Sequence, residues 1–346
     1  MDIVTAMTTQ ARACAEQGSP MYADLLERVA ADVESGGECA VFLKGHEDDS
    51  LPSALALRLL GSVHRLVLDG TASSLVPFYP TTGGRWEPDA GWHAFQQTLR
   101  LHADAVRSRL DQVPQTNEVG RSATLMGGLL HIVAEQGLPV RLHEMGASGG
   151  LNLLADQFCY RDDRGTVYGR ADSPVRFIDA WRGRAVPEAE VRVVDRVGAD
   201  IAPLDALTVD GRLTLTSYVW PDQSERLQRL RCALRVADEV STEVRREGAR
   251  DFVDGIELTE GTTTVLWHSF MWQYLTGEEQ QHVAGRIAEV GAKATDTCGF
   301  GHLRLEPTRR TSRSEHEFLV VLRTWPDGAE RILGTAAPHG VPTTWE

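Results

Sequence analysis

The stretch from Val140 to Leu154 constrains the fold more than any other, because it joins an apolar run, an acid and a cluster of glycines. Four residues define its centre: Glu144, Gly146, Ser148 and Gly150. This order predicts a short strand, a tight turn headed by an acid, and the start of an apolar helix. Glycines let a ligand approach the backbone, and a helix N-terminus offers unpaired N–H groups, so the pattern is typical of nucleotide-binding domains. The alternative is that the glycines serve only close packing of helix on strand.

The turn Glu-x-Gly-x-Ser-x-Gly resembles the first motif of class I S-adenosylmethionine-dependent methyltransferases, Asp/Glu-x-Gly-x-Gly-x-Gly. Ser148 stands where that family has its middle glycine. The resemblance implies a Rossmann-like α/β sheet and S-adenosylmethionine as the cofactor, bound by the turn and by Asn152. A Gly-x-Gly-x-x-Gly fingerprint is also nearly present, so an NAD(P)-dependent oxidoreductase remains an alternative.

Two later segments resemble the second and third motifs of the same family. The run 191–203 is β-branched and ends in an acid, which implies that Asp200, or as second candidate Asp195, binds the ribose hydroxyls. The run 250–253 implies a contact between Asp251 and the adenine amino group. An exposed helix-cap aspartate is the alternative for Asp251.

The segment 262–270 is predicted to be a buried strand that ends at His268. It has the position of the family's fourth motif, but His268-Ser269-Phe270 replaces Asp/Asn-Pro-Pro-Tyr/Phe, which disfavours an amino-methylating enzyme of that kind. His268 is the candidate general base, since its titration range suits proton transfer near neutral pH. A purely structural histidine is the alternative. A fifth strand at 301–307 and a hairpin of 317–322 with 331–334 are expected to close the sheet.

The polar segment 115–121 precedes the helix that leads into the first strand. Arg121 can pair with a carboxylate and Glu118 with an ammonium, which fits the amino-acid end of the methyl donor or an amino-acid-like acceptor. An elaborate helix N-cap with Asn117 as the capping residue is the alternative. The aromatic segment 217–223 follows an apparently strand-like run, 212–216, and its side chains suit either a pocket or a core. The substrate-side candidates are Gln115, Asn117, Glu118, Tyr218, Trp220, Trp272 and His339.

Taken as a whole, the chain resembles an uncharacterised bacterial family, DUF2332. The shared features are the segments 115–118, 217–223, 267–269 and 338–340 together with the Glu144 turn. This resemblance implies no activity.

Composition narrows the class of partner. A net charge of −14 over 346 residues argues against a nucleic-acid substrate and favours a small molecule. The cysteines are isolated in the sequence, no His/Asp/Glu spacing suggests a metal site, and no apolar run approaches membrane-spanning length. A cytoplasmic protein without a membrane partner is expected, and the sequence sets no oligomeric state.

The sequence predicts two domains. Residues 1–136 are expected to form an all-helical domain, and residues 137–346 an α/β domain interrupted by a hairpin insertion near 158–190. The function predicted is methylation, at oxygen or nitrogen, of a small polar molecule; a non-catalytic S-adenosylmethionine-binding or regulatory protein is the alternative outside enzymology. The predicted helices of the first domain are 4–17, 22–35, 51–69, 91–110 and 122–136.

Overall fold

The computed structural model describes residues 2–47, 54–112 and 114–346. The chain divides into two compact units. Unit 1 comprises residues 1–116 and 208–228, and unit 2 comprises residues 117–207 and 229–346. The expected boundary at 136/137 therefore differs from the division in the structure, because the helix at 122–136 packs within unit 2 and the segment 208–228 returns to unit 1.

Unit 1 is helical, as the sequence predicts. In α4 the apolar residues that recur at helical spacing in the sequence, such as Leu59, Val63 and Leu66, are buried, as is most of the helix. The first residues of the predicted helix, 51–53, lie outside the described residues. The helices are α1 (Ile3–Glu16), α2 (Pro20–Glu34), α3 (Glu38–Phe42), α4 (Leu55–Leu68), α5 (Pro88–Leu101), α6 (Ala103–Leu110) and α8 (Val209–Ser217).

Two sequence predictions in unit 1 need correction. The helix predicted at 91–110 is two helices, since the chain leaves helical geometry at His102. The strand-like run 212–216 lies inside α8, whose first turn is capped by the Thr208 side chain accepting from the Gly211 N–H at 3.1 Å. Packing of Leu215 into the interior and this cap outweigh the β-propensity of the threonines.

Unit 2 is a mixed α/β structure built on a large sheet. Among the described residues its strands are β1 (Val140–Met145), β5 (Trp181–Gly183), β6 (Val193–Asp200), β7 (Glu243–Arg246), β8 (Thr262–Ser269), β9 (Cys298–Thr308), β10 (Glu317–Trp325), β11 (Glu330–Ala336) and β12 (Thr343–Trp345). They join in the order β5-β12-β11-β10-β9-β8-β1-β6-β7, with β5 and β7 at the edges. The strands from β7 to β9 in this order are parallel, whereas β9 to β12 form an antiparallel meander.

Helices cover both faces of this sheet. On one face α7 (Ser122–Gln136) lies so close that a Cβ added to Gly128 would be 2.2 Å from Leu303 Cδ2. On the other face Phe300 clusters with residues of α10 (Ala249–Asp254) and α11 (Gly277–Gly291). Alternation along β9 therefore assigns Leu303 to the α7 face and Phe300 to the α10/α11 face. The unit also contains most of α9 (Ser224–Ala237).

The predicted fifth strand, terminal hairpin and hairpin insertion are confirmed. β10 and β11 pair antiparallel next to β9. The insertion forms a small sheet from β2 (Cys159–Arg161), β3 (Val167–Gly169) and β4 (Arg176–Phe177). Among the described residues no strand precedes β1, as expected from the sequence. No helix in the described part of the chain is both long and apolar enough to cross a membrane.

Candidate functional site

The carboxyl ends of β1 and β8 meet at the centre of the sheet. The chain runs from β1 outward to β6 and β7, then returns to β8 on the other side of β1, so the strand order reverses between β1 and β8. In open α/β sheets ligands bind in the crevice outside the carboxyl ends at such a reversal. The register sets Glu144 beside Trp267 and Met145 beside His268 at this point.

The turn after β1 has an unusual backbone. Gly146, Ser148 and Gly150 have φ values of 71°, 52° and 73°. The left-handed region suits glycine but costs a residue such as serine about 1–2 kcal/mol. Backbone bonds hold the turn in place, because the N–H groups of Gly146 and Ala147 both donate to the Ala199 carbonyl, at 2.8 and 3.0 Å. The structure thus keeps a strained residue where the methyltransferase motif has glycine.

The predicted apolar α-helix after the turn is replaced by a 3-10 helix, Leu151–Gln157. This element has seven residues, and β2 begins at Cys159, soon after its end. A full α-helical N-terminus facing the turn, as the sequence suggests, is therefore not present in this described segment.

Two side chains from elsewhere in unit 2 hold the turn. Asp200, at the end of β6, accepts from the Ser148 N–H through Oδ2 at 2.9 Å and from the Ala202 N–H through Oδ1 at 2.9 Å. Asn117 Oδ1 accepts from the Leu151 N–H at 2.9 Å. Asn117 therefore caps the 3-10 helix after the turn rather than α7. The second ribose candidate, Asp195, lies away from the turn near the start of β6 and pairs with Arg141.

Glu144 is the buried acid of the site. It is 2% exposed, and its Oε1 accepts from Asn152 Nδ2 at 3.4 Å, while Asn152 Oδ1 accepts from the Ser122 hydroxyl at 2.7 Å. Burial raises the pKa of Glu144 to about 8; Asn152, the Trp267 indole and the positive charge of Arg121 act against that rise. The effect of the indole on this pKa does not come from a hydrogen bond of regular geometry. Among the described residues neither Trp267 Nε1 nor Glu144 Oε2 has a hydrogen-bond partner.

Arg121, Glu118 and His339 come together in unit 2, and the positive charge of Arg121 acts on Glu144. Arg121 lies with its guanidinium carbon 4.2 Å from the centre of the Phe270 ring, in a cation–π contact. Glu118 Oε1 accepts from the Gly120 N–H at 2.9 Å, and its Oε2 lies 3.6 Å from His339 Nδ1. The turn at 338–340 lies directly against this segment, since a Cβ on Gly120 would be 2.1 Å from the His339 carbonyl oxygen. Two polar segments far apart in sequence thus meet at one place.

His268 forms a different cluster with two residues of β9. It is fully buried, and its Nδ1 lies 2.8 Å from Glu306 Oε1 while its Nε2 lies 3.0 Å from His302 Nε2. Glu306 Oε1 also accepts from the backbone N–H groups of Met271 and Trp272, at 3.1 and 3.3 Å. The Trp272 ring stacks on His268 with centroids 5.3 Å apart. Burial lowers the pKa of His302 well below its usual value, and the charges of His268 and nearby arginines add to this.

His268 and Glu144 belong to opposite faces of the sheet. Glu144 pairs with Trp267 and Met145 with His268, so alternation directs Glu144 to the α7 face and His268 to the α10/α11 face. The candidate base predicted from the sequence therefore has both ring nitrogens engaged and does not face the candidate cofactor acid. Sequence reasoning missed Glu306 and His302, although the alternation of polar and apolar residues along 302–306 marks one polar face of a central strand.

The remaining candidates are dispersed. Gln115, Tyr218 and Trp220 belong to unit 1, where Trp220 is part of the apolar core and the Tyr218 ring packs against Gly61 of α4. Asp251 is exposed in the first turn of α10, which fits the stabilising position of an acid near a helix N-terminus. Within the described ranges no three His, Cys, Asp or Glu side chains are arranged to hold a metal ion.

Comparison with known proteins agrees with the resemblance found in the sequence. Residues 4–345 match the family described as "Uncharacterized protein conserved in bacteria (DUF2332)". Neither the curated proteins nor the solved structures gave a match. Because the matched region spans nearly the whole sequence, the chain belongs to the DUF2332 family.

Proposed function

We propose that the protein binds S-adenosylmethionine at the carboxyl edge of β1 and promotes methylation of a small polar molecule at oxygen or nitrogen. One observation carries the proposal: a left-handed turn at residues 146–150 lies at the strand-order reversal, directly after a buried glutamate, Glu144. The order β7-β6-β1-β8-β9 supports a Rossmann-like domain of the class I methyltransferase type as part of the same proposal.

Glu144 would bind the ammonium of the donor's amino-acid end. Its Oε2 is buried, and no described residue donates a hydrogen bond to it. An ammonium would supply that donor, and its positive charge would lower the pKa of Glu144 from about 8. Binding near neutral pH would then release a proton from this carboxyl group.

Asp200 would bind the ribose hydroxyls while holding the turn. Each of its carboxylate oxygens accepts one backbone N–H, and a carboxylate oxygen has a second lone pair for a further donor. Its position at the end of β6, next to β1, favours Asp200 over Asp195 for this role.

S-adenosylmethionine supplies an electrophilic methyl group on a sulfonium. The protein's part is to hold the acceptor oxygen or nitrogen in line and to exclude water. As the new bond to carbon forms and the carbon–sulfur bond breaks, the acceptor's proton needs a destination. We assign this role to His339, which lies beside Glu118, because the ring nitrogens of His268 face Glu306 and His302.

Calorimetric titration with S-adenosylmethionine, S-adenosylhomocysteine and NAD tests the proposal. We expect micromolar binding of the first two ligands and at least tenfold weaker binding by Gly146→Ala, because a Cβ there would lie over the turn, in the space that Met271 now occupies and that the donor would need. Gly137→Ala is the matched control: its φ of 67° is similar to the 71° of Gly146, but open space surrounds it. Binding of NAD alone, or of none of the three ligands, would rule out the methyltransferase proposal.

A binding protein without turnover is the second candidate. The complete burial of His268 favours it, because the histidine expected to serve as base is not oriented toward Glu144. It predicts tight donor binding together with no methylated product from any small polar acceptor. A methylated product that wild type forms and His339→Ala does not, while the affinity for the donor is retained, would decide for the enzyme.

A further inference from the structure

The space over Gly146 is filled by the chain itself. A Cβ built on Gly146 would be 2.9 Å from Met271 Cβ and 3.2 Å from Met271 Cγ. Glycine in such a turn leaves room for close approach of a ligand, and here Met271 makes that approach. Met271 belongs to the segment 270–274, called the loop below, which follows β8 and contains the 3-10 helix Trp272–Tyr274.

Glu306 fastens this loop to β9. Its Oε1 accepts from the backbone N–H groups of Met271 and Trp272 and lies 2.8 Å from His268 Nδ1. The acceptor is the side chain of a central strand and is 6% exposed, so water competes little for these bonds. One buried carboxyl oxygen therefore holds the loop at two points, Met271 and Trp272, and also contacts His268 on β8.

The hydrogen atoms of this cluster follow from its geometry. Backbone N–H groups can only donate, so Glu306 Oε1 is an acceptor and His268 Nδ1 must carry a hydrogen. In neutral His268 the Nε2 atom then accepts, and His302 Nε2 donates across the 3.0 Å contact. His302 thus fixes the ring of His268, which in turn supports Trp272 by stacking.

The loop begins at a strained residue. Phe270 has a φ of 54°, a left-handed value that a phenylalanine adopts only when its surroundings impose it. Its ring is held between Phe318, with centroids 5.2 Å apart, and the Arg121 guanidinium. Release of the latch would let this residue relax and carry Met271 away from Gly146.

We propose that the loop 270–274 is an autoinhibitory plug: Met271 covers the glycine turn, and Glu306, supported by the His268–His302 pair, latches it there. The inference rests on the proposed function, because the ligand that the plug excludes is the methyl donor. The latch itself is independent of the ligand, and Glu306 is a positioning residue that acts through the loop.

Hydrogen exchange read by mass spectrometry tests the latch without any ligand. In Glu306→Ala we expect the peptide covering 270–275 to exchange at least tenfold faster, with peptides from β1 and β10 unchanged. Glu306→Gln keeps the shape and the acceptor oxygen and is expected to exchange close to the wild-type rate. Glu330→Ala is the matched control, because Glu330 bonds the side chain of Arg304 on β9 but does not touch the loop. Equal exchange of this peptide in Glu306→Ala and wild type would overturn the proposal.

Donor titration then tests the plug. Met271→Ala removes the side chain beyond Cβ, including the Cγ that lies over Gly146, while keeping the backbone bonds to Glu306, and we expect S-adenosylmethionine to bind at least tenfold more tightly. Unchanged affinity in Met271→Ala, with measurable binding by wild type, would overturn the plug. If neither Met271→Ala nor wild type binds the donor, the proposed function fails, and the exchange rates alone decide whether the latch stands.

Discussion

Replacing Glu144 by glutamine tests the central electrostatic feature of the site. The carboxyl group is buried at the end of β1, and Asn152 Nδ2 donates a hydrogen bond to it at 3.4 Å. Burial raises its pKa from 4.5 to about 8. Glutamine has almost the same shape but carries no charge at any pH, so Glu144→Gln removes the titration and leaves the volume.

The direction of the effect follows from where the proton is held. Between about pH 4.5 and 8 the unfolded chain has lost the proton of Glu144, whereas the folded chain retains it, so the free energy of unfolding falls as pH rises. The stabilisation is complete below the unfolded pKa and is lost as pH rises through about 8. At about 1.36 kcal/mol for each pKa unit, the loss amounts to roughly 3–5 kcal/mol.

Urea denaturation followed by tryptophan fluorescence, repeated between about pH 5 and 9, measures this difference. The free energy of unfolding of Glu144→Gln relative to wild type should rise by roughly 3–5 kcal/mol over that range. A buried NH₂ group without an acceptor would cost about 1–3 kcal/mol, but that cost is the same at every pH. Glu278→Gln, whose carboxylate is 85% exposed, should follow wild type. Parallel curves for Glu144→Gln and wild type would refute the argument.

Two further predictions concern the frame that supports the site. Gly291→Ala should lower the free energy of unfolding by about 2 kcal/mol, because its Cβ would lie 2.3 Å from the Trp325 ring. Gly285→Ala lies in the same helix but has open space, so it should raise the free energy of unfolding by about 0.5–1 kcal/mol. The urea midpoints of the two variants test both expectations. Thr276→Ala removes the capping box with Glu279 at the start of α11 and should lower the free energy of unfolding by about 1 kcal/mol. An unchanged thermal midpoint would contradict this prediction.

Most strands of the sheet could be predicted from sequence because they combine an apolar run with flanking turn residues, whereas the short strands β5, β7 and β12 were not predicted. β1 is followed by the glycine turn, β6 ends at Asp200, and β10 and β11 are separated by Pro326 and Gly328. In unit 1, α4 was predicted from apolar residues at helical spacing, and the short helix α3 was not predicted. Prediction failed for α8, where Thr214 and Thr216 suggested a strand but the cap at Thr208 and burial of one face produced a helix.

The arrangement of the site was harder to predict, because it depends on the face of the strand on which each side chain lies. The sequence placed Glu144 and His268 at two strand ends, and the structure confirms both strand ends. It could not set the register between β1 and β8, and a shift of one residue exchanges the two faces of a strand. The observed register aligns Glu144 with Trp267, not with His268, and so separates the acid from the histidine.

That separation changes what each residue can do. A histidine at a strand end suggests a base, but His268 is enclosed between Glu306 and His302, and its hydrogen bonds lead to a loop rather than toward the Glu144 face. Glu306, on a strand for which the sequence indicated only a place in the sheet, accepts from two backbone N–H groups of the loop over the glycine turn. In the functions that we propose, the chemistry of the turn and the control of access to it therefore belong to opposite faces of the sheet. Glu144 would take part in the chemistry, and a substitution of His268 should alter access to the turn before it alters any reaction step.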